Sequence, residues 1–377
     1  MRIGFDGKRA VQNFTGLGNY SRYVADILCH FYPENDYVLY APKKRENKRM
    51  NLLTGQYRQL TLAYPATSFW KKLSSLWRVW GITSQLEKEG IELFHGLSNE
   101  LPLNIHKSRI KSIVTIHDLI FLRYPQYYQS IDRKIYTYKF RKACENADKI
   151  IAISECTKRD IIRYFNIPDD KIEVVYQGCD ISFTHPVTEE KKKEVRKKYQ
   201  LPDHYILNVG SIEERKNILA AVQALPMLPQ HIHIVIVGRR TGYTEKVEQF
   251  IKDNGLGERV HIISNVPFND LPAFYQSAEI FVYPSRFEGF GIPIIEALYS
   301  GTPVVAATGS CLEEAGGPDS IYVNPDDITG LADAFKQIYS NSDKRKNMVE
   351  KGREFAKRFS EKQQSEEIIN IYKKLIR

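Results

Sequence analysis

The chain has 377 residues, 42% of them hydrophobic and 26% charged, and carries a formal net charge of +9. This composition excludes disorder over most of the length, and the length suggests two domains at roughly 100–200 residues each. The sequence holds no run of about eighteen apolar residues, which excludes a helix long enough to span a bilayer.

The segment Met1–Asp6 carries no basic-then-apolar leader and reads directly as a strand, so a cytoplasmic, reducing location is expected. The five cysteines are scattered, with no C-x-x-C pair and no H-E-x-x-H, which points to buried thiols rather than to disulfides or a metal centre. The charge is uneven. Residues 1–182 hold 28 Lys and Arg against 19 Asp and Glu, whereas residues 183–377 hold 26 of each. A basic half suits an anionic partner: nucleic acid, an acidic membrane surface or a phosphorylated ligand. A lysine-rich solvated surface explains the same count.

In chain order, Ile3–Phe5, Tyr37–Tyr40, Ile91–Phe94, Ser112–Ile116, Ile150–Ile153 and Ile172–Tyr176 read as strands. Amphipathic stretches such as Tyr20–Phe31 and Thr157–Phe165 separate them. Strands apolar on both faces and spaced by helices predict a parallel sheet covered on both sides. Thr188–Lys198 is a charge-dense helix signal with Thr188 as N-cap, and a domain junction is placed here, dividing 1–182 from 183–359. The pattern then restarts with Tyr205–Val209, Ile232–Val237, Val260–Ile263, Ile280–Tyr283, Pro303–Ala306 and Ile321–Val323. Helices are predicted over Asn217–Leu225, Leu271–Ser277, Pro293–Ser300, Ile328–Tyr339 and Ser360–Arg377. The fold class is therefore α/β, with two Rossmann-like doubly wound domains expected to face each other across a ligand cleft.

Four stretches carry candidate chemistry. Thr15-Gly-Leu-Gly-Asn-Tyr20 follows the first strand, and Gly16 and Gly18 would let backbone approach an anion at the next helix. By spacing alone a glycine-bearing turn before a helix is the better reading. His117, with Asp118, ends an apolar strand, where such sheets place their ligands. Arg215 and Lys216, in Gly210-Ser-Ile-Glu-Glu-Arg-Lys-Asn217, sit beside a predicted helix start. Two cations at a positive dipole end make sense when an anion such as a diphosphate compensates them. Glu288 lies in Phe287-Glu-Gly-Phe-Gly291, eight positions before Glu296, with Pro293 placed for the first turn of a helix. Its glycines would expose backbone N–H groups while the acids accept from a polyol.

Gly289-Phe-Gly291 between Glu288 and Glu296 resembles the E-x7-E signature of family-4 retaining glycosyltransferases of the GT-B fold. Gly16/Gly18, His117-Asp118, Ile153-Ser-Glu155, Arg215-Lys-Asn217, Pro303-Val-Val305 and Asn324-Pro325 extend the resemblance over nearly the whole chain. The resemblance implies that the C-terminal half binds a nucleotide-diphosphate sugar and the N-terminal half a glycan or lipid-diphosphate-linked acceptor. Arg215 and Lys216 would hold the diphosphate and Glu296 the ribose hydroxyls. Glu288, with the N–H groups of Phe290 and Gly291, would grip the sugar. Ser211, Val266, Gly289 and Ile292 would line the donor site, and His117 and the Gly16–Gly18 backbone would approach the sugar and phosphates. No metal and no cofactor beyond the co-substrate is implied, and the 360–377 helix would return to the first domain. Resemblance to bacterial mannosyltransferases makes GDP-mannose the first candidate donor and surface polysaccharide assembly the setting. On this reading Glu288→Ala or Lys216→Ala abolishes transfer with little change in melting temperature.

All three tryptophans lie in Phe69–Trp80. At 100° per residue, Trp70, Leu73, Trp77 and Trp80 fall within an arc of about 80°, with Lys71, Lys72 and Arg78 off it. This stripe is either core or the face of a helix lying on an anionic leaflet, and the basic half favours the leaflet. The rival functions are a sugar-nucleotide epimerase, a phosphorylase and a non-enzymatic nucleic-acid-binding protein. The last is disfavoured by the absence of RRM, KH or zinc-finger patterns and by the balanced C-terminal half.

Overall fold

The computed structural model describes residues 1–376. The chain divides into two compact units, Met1–Tyr176 with the segment from Glu361 onward, and Gln177–Ser360. The division at Tyr176/Gln177 precedes the 182/183 boundary placed from the lysine-rich helix.

The first unit holds seven parallel strands: β1 (Arg2–Asp6), β2 (Asp36–Tyr40), β3 (Leu60–Ala63), β4 (Leu93–Gly96), β5 (Lys111–Ile116), β6 (Lys149–Ala152) and β7 (Ile172–Val174). Their order is β3-β2-β1-β4-β5-β6-β7. Strand β1 pairs on both sides, Ile3 opposite Tyr37 and Leu93. The order reverses at β1/β4, so the carboxyl ends Asp6 and Gly96 flank the point where such sheets open a crevice. Strand β3 escapes the sequence reading because it is a short edge strand in which only Leu60 is fully buried.

The Glu361–Ile376 helix belongs to this unit. Ile368, Ile369, Ile371 and Tyr372 join the core formed by Ile3, Leu28, Leu39 and their neighbours. The Tyr372 hydroxyl meets His95 Nδ1 at 2.6 Å, His95 Nε2 meets Thr115 Oγ1 at 2.8 Å, and Thr115 meets the Tyr20 hydroxyl at 3.2 Å. This buried polar chain fixes the helix against the sheet. Burial, reinforced by nearby His117, pushes the His95 pKa down to about 3, so the ring is neutral at pH 7.

The helix predicted from Tyr20 begins earlier, spanning Gly16–Phe31. A Cβ at Gly18 would lie 2.0 Å from the Asn13 carbonyl oxygen, whereas Gly16 faces open space. Gly18 is thus required by backbone crossing at the helix entry. Gly18→Ala is expected to cost about 1–3 kcal/mol, and Gly16→Ala close to nothing. Thermal unfolding of the two variants checks the contrast.

The tryptophan stripe is corrected. Leu73 leaves helical geometry (φ −105°, ψ 41°), and Trp77–Gly81 forms a π-turn. The chain is therefore rotated from the expected phase: Trp77 is fully buried and Trp70 partly, while Leu73 and Trp80 are exposed. Gly81 makes room for Trp70, since a Cβ there would lie 2.5 Å from the indole. Arg78, placed off the stripe by periodicity, is half-buried and donates to Asp6 at the end of β1 and, at 2.6 Å, to Glu100.

The second unit holds six parallel strands: β8 (Tyr205–Val209), β9 (His233–Val237), β10 (Val260–Ile263), β11 (Ile280–Tyr283), β12 (Val304–Ala307) and β13 (Ile321–Val323). Their order is β10-β9-β8-β11-β12-β13, reversing at β8/β11. Ile206, Ile234, Ile236, Val282 and Val305 face a core shared with the Ile218–Ala224 and Ile328–Tyr339 helices. Among the described residues no helix is long and apolar enough to cross a membrane.

Candidate active site

The carboxyl ends of β8 and β11 carry the densest cluster of ionised groups predicted from sequence. After β8 the chain turns at Gly210 and forms a short 3-10 turn, Glu214–Lys216. Asn217 follows in the left-handed region (φ 55°), and its side-chain amide donates to Pro284 and Pro325 carbonyls at 3.3 and 2.8 Å. This asparagine ties the cationic loop to the segment leaving β11. The Arg286 N–H adds a bond to the Arg215 carbonyl at 2.9 Å.

Arg215, Lys216 and Glu288 meet here. Arg215 Nη1 lies 2.9 Å and Lys216 Nζ 3.3 Å from the Glu288 carboxylate. Ser285 Oγ donates to the same carboxylate at 2.8 Å and the Tyr283 hydroxyl at 3.1 Å. Lys216 donates to Tyr283 at 2.9 Å and stands over its ring. Arg215 also donates to the Phe287 carbonyl. Burial alone would raise the Glu288 pKa, but Lys216, Arg215 and the Ser285 hydroxyl outweigh it and hold it down to about 2. Burial opposes the charge on Arg215 and Lys216, and Glu288 restores it, so both pKa values lie above their ordinary range. The trio is therefore fully ionised at pH 7, two cations to one anion. Glu213 lies 3.8 Å from Arg215 and 3.7 Å from Arg239, so three cations meet two acids and one positive charge is left over at this strand-end position, which suits an anionic ligand.

Glu296 stands apart, on the Ile292–Ser300 helix. It accepts from the Tyr275 hydroxyl at 2.7 Å. Burial, opposed by that bond, pushes its pKa up to about 7. Between the two acids, Gly289 is half-buried, Phe290 buried, and Gly291 caps the helix with φ +159°. A Cβ at Gly291 would lie 3.1 Å from Ala315. Cys311 Sγ rests against the Glu288 and Phe290 carbonyls and supports the loop from below. Ser211 donates to Glu213 at 2.6 Å, beside Arg215, and Val266 is half-buried beyond β10. Ile292 opens the helix that carries Glu296.

Gly16, Gly18 and His117 belong to the first unit. His117 Nε2 donates to the Leu97 carbonyl at 2.9 Å, and its N–H donates to Asn99 Oδ1 at 2.7 Å. Burial, partly offset by the Leu97 bond, pushes its pKa down to about 4. Asp118 accepts from the Ile120 N–H at 3.1 Å, just ahead of the short Ile120–Arg123 helix. The five cysteines are buried thiols. Among the described residues no three His, Cys, Asp or Glu side chains are grouped to hold a metal ion.

Sequence reading missed Tyr283, Ser285, Tyr275 and Asn217. Tyr283 and Ser285 were within reach, since the carboxyl end of a strand at the sheet's reversal is where ligating groups gather. Tyr275 had no such signal, because an apolar helix position conceals a hydroxyl aimed at an acid.

Residues 21–183 match the family model described as Glycosyltransferase Family 4, and residues 188–355 match Glycosyl transferases group 1. The O-antigen chain mannosyltransferase B of Escherichia coli is 31% identical over 289 residues, covering 75% of this chain and 74% of that protein. The O-antigen chain mannosyltransferase RfbU of Salmonella typhimurium is 30% identical over 225 residues, and the match spans 60% of each chain. Among solved structures, Anabaena HepE in complex with UDP superposes with a TM-score of 0.79 at 18% identity, covering all of both chains. The chain belongs to the group 1, family-4 glycosyltransferases, is a glycosyltransferase, and has the GT-B fold.

Proposed function

We propose that the chain transfers a hexose, mannose being the first candidate, from a nucleotide-diphosphate sugar to a glycan or lipid-diphosphate-linked acceptor in surface polysaccharide assembly. The observation that carries this reading is the surplus positive charge of Arg215 and Lys216 around Glu288 at the β8/β11 reversal. The mannosyltransferase names of the relatives supply mannose and O-antigen, and GDP-mannose follows from mannose. A fixed pair of cations offers the leaving diphosphate its charge stabilisation without reorganisation, a large term in such chemistry. Tyr283 and Ser285 hold Glu288 so that it orients the cations and presents an acceptor to the sugar hydroxyls. Ser211, Val266, Gly289, Phe290, Gly291 and Ile292 shape the remaining donor pocket in this reading. His117 enters as a neutral hydrogen-bonding group, its proton held on Nε2. Retention at the anomeric carbon, independence of metal, and a place on the inner face of the plasma membrane complete the proposal.

Two experiments test it. Purified protein is incubated with GDP-mannose or UDP-sugars and a lipid-diphosphate-linked glycan. Acceptor-dependent release of one nucleoside diphosphate is expected, and release from none of the donors would overturn the reading. The second concerns Glu296, the proposed ribose ligand. A carboxylate accepts two hydroxyls and a carboxylic acid gives one acceptor away, so donor affinity should rise as pH increases through about 7. Glu296→Gln should flatten that rise, read as donor KM between pH 6 and pH 8.

A further inference from the structure

Two segments of the first unit expose the same apolar pattern. In Phe69–Trp80 the exposed side chains are Phe69 (61%), Leu73, Leu76 and Trp80 (51%), spaced i, i+4, i+7 and i+11. In the Ser130–Asn146 helix Ile131 (71%), Ile135 and Tyr138 (56%) are exposed at i, i+4 and i+7, with Lys142 next in the series, and Tyr136 is exposed beside its contact with Phe121. At 100° per residue the Ser130–Asn146 set spans an arc of about 60°, whereas the Phe69–Trp80 set is exposed along a segment that the non-helical Leu73 and the π-turn interrupt. Among the described residues, most of the exposed large hydrophobic side chains lie in these two segments. Their other faces are anchored: Trp77 is fully buried, and Tyr136 and Phe140 stack edge-on against Phe121.

The two segments flank one connector, residues 100–104. Glu100 accepts from Arg78 at 2.6 Å and lies 3.6 Å from Lys139. The Leu103 N–H donates to the Val79 carbonyl at 2.9 Å, and Asn104 donates to the Trp80 carbonyl at 3.0 Å. From the other side, Asn146 donates to the Leu103 carbonyl at 3.0 Å. Exposed cations border both stripes, Lys71 and Lys72 on one and Lys134 and Arg141 on the other.

We propose that these two stripes form a single docking face for an anionic lipid bilayer, with the Ser130–Asn146 helix as its second half. The inference rests on the membrane-side acceptor proposed above and adds an element that sequence periodicity did not single out. Aromatic and aliphatic side chains beside lysines are the composition of an interfacial surface.

Flotation with vesicles of phosphatidylcholine alone and of phosphatidylcholine with phosphatidylglycerol, at low salt, tests this. Wild type should float with the anionic vesicles only. Leu76→Ser/Trp80→Ser and Ile131→Ser/Ile135→Ser should each reduce vesicle binding about tenfold or more at unchanged melting temperature. Lys72→Glu and Lys134→Glu, which touch no core, should each weaken binding about fivefold. Wild type that ignores anionic vesicles overturns the membrane reading as a whole. Wild type that binds, loses binding in the Trp80 variant and keeps it in both the Ile131/Ile135 and Lys134 variants overturns this inference alone. A concentration-dependent dimer that the same variants dissociate, with no vesicle binding, would reassign the face to a second copy of the chain.

Discussion

Lys216→Ala is expected to lower kcat by about 100- to 1,000-fold, the range seen when one preorganised donor to a developing negative charge is removed. The protein should stay folded. Glu288 keeps Arg215 at 2.9 Å, Ser285 at 2.8 Å and Tyr283 at 3.1 Å in the variant. No buried charge is therefore abandoned, and the melting temperature should move little. Tyr283→Phe should follow in the same direction with a smaller effect, since the ring remains under the lysine and one hydrogen bond to it is lost. Steady-state kinetics beside thermal unfolding separates the two quantities. A Lys216→Ala enzyme with wild-type turnover would remove the lysine from the proposed chemistry.

Glu288→Gln is expected to abolish transfer and also to lower stability, where the sequence predicted a nearly unchanged melting temperature for a change at this acid. The difference lies in what the acid leaves behind: Arg215 and Lys216 would face each other across a neutral amide. The Glu288 pKa is held at about 2 against an ordinary 4.5. A carboxyl depressed on folding contributes stability that is present above its unfolded pKa and lost as pH falls through the folded one. Wild type should therefore exceed Glu288→Gln by about 3 kcal/mol at pH 7. The gap should narrow from about pH 4.5 downward and close near pH 2. Unfolding of both proteins across that range checks the sign. A gap that widens on acidification would contradict the ion-pair assignment.

The sheets were legible because their strands are apolar on both faces and short enough to be bounded by turn residues. Twelve strand segments, Ile3–Phe5 through Ile321–Val323, correspond to strands of the structure. Strand β3 was not, since Leu60–Ala63 buries one residue fully and resembles a loop. The helices Ser130–Asn146, Tyr243–Asp253 and Ser342–Ala356 were missed because dense charge masks their buried faces. Within the candidate site, Arg215, Lys216 and Glu288 stood out because unlike charges around glycine-rich turns have few structural uses. Their partners Tyr283 and Ser285, like Tyr275 beside Glu296, depend on strand register and helix phase across about seventy or fewer residues, as in the 67-residue separation of Lys216 from Tyr283. The tryptophan stripe shows the limit of periodicity. A non-helical Leu73 and a π-turn broke the helical phase, so the stripe divides, with Trp77 and part of Trp70 inside and Leu73 and Trp80 outside.

The most direct measurement is thermal unfolding of the full chain with GDP, UDP, ADP or CMP at about a hundred times a typical dissociation constant. One nucleoside diphosphate should stabilise the wild type by about 2.7 kcal/mol, and Lys216→Ala should lose most of that shift while melting near wild type without ligand. No shift with any nucleoside diphosphate, or a shift that Lys216→Ala retains in full, would contradict a diphosphate site at Arg215 and Lys216.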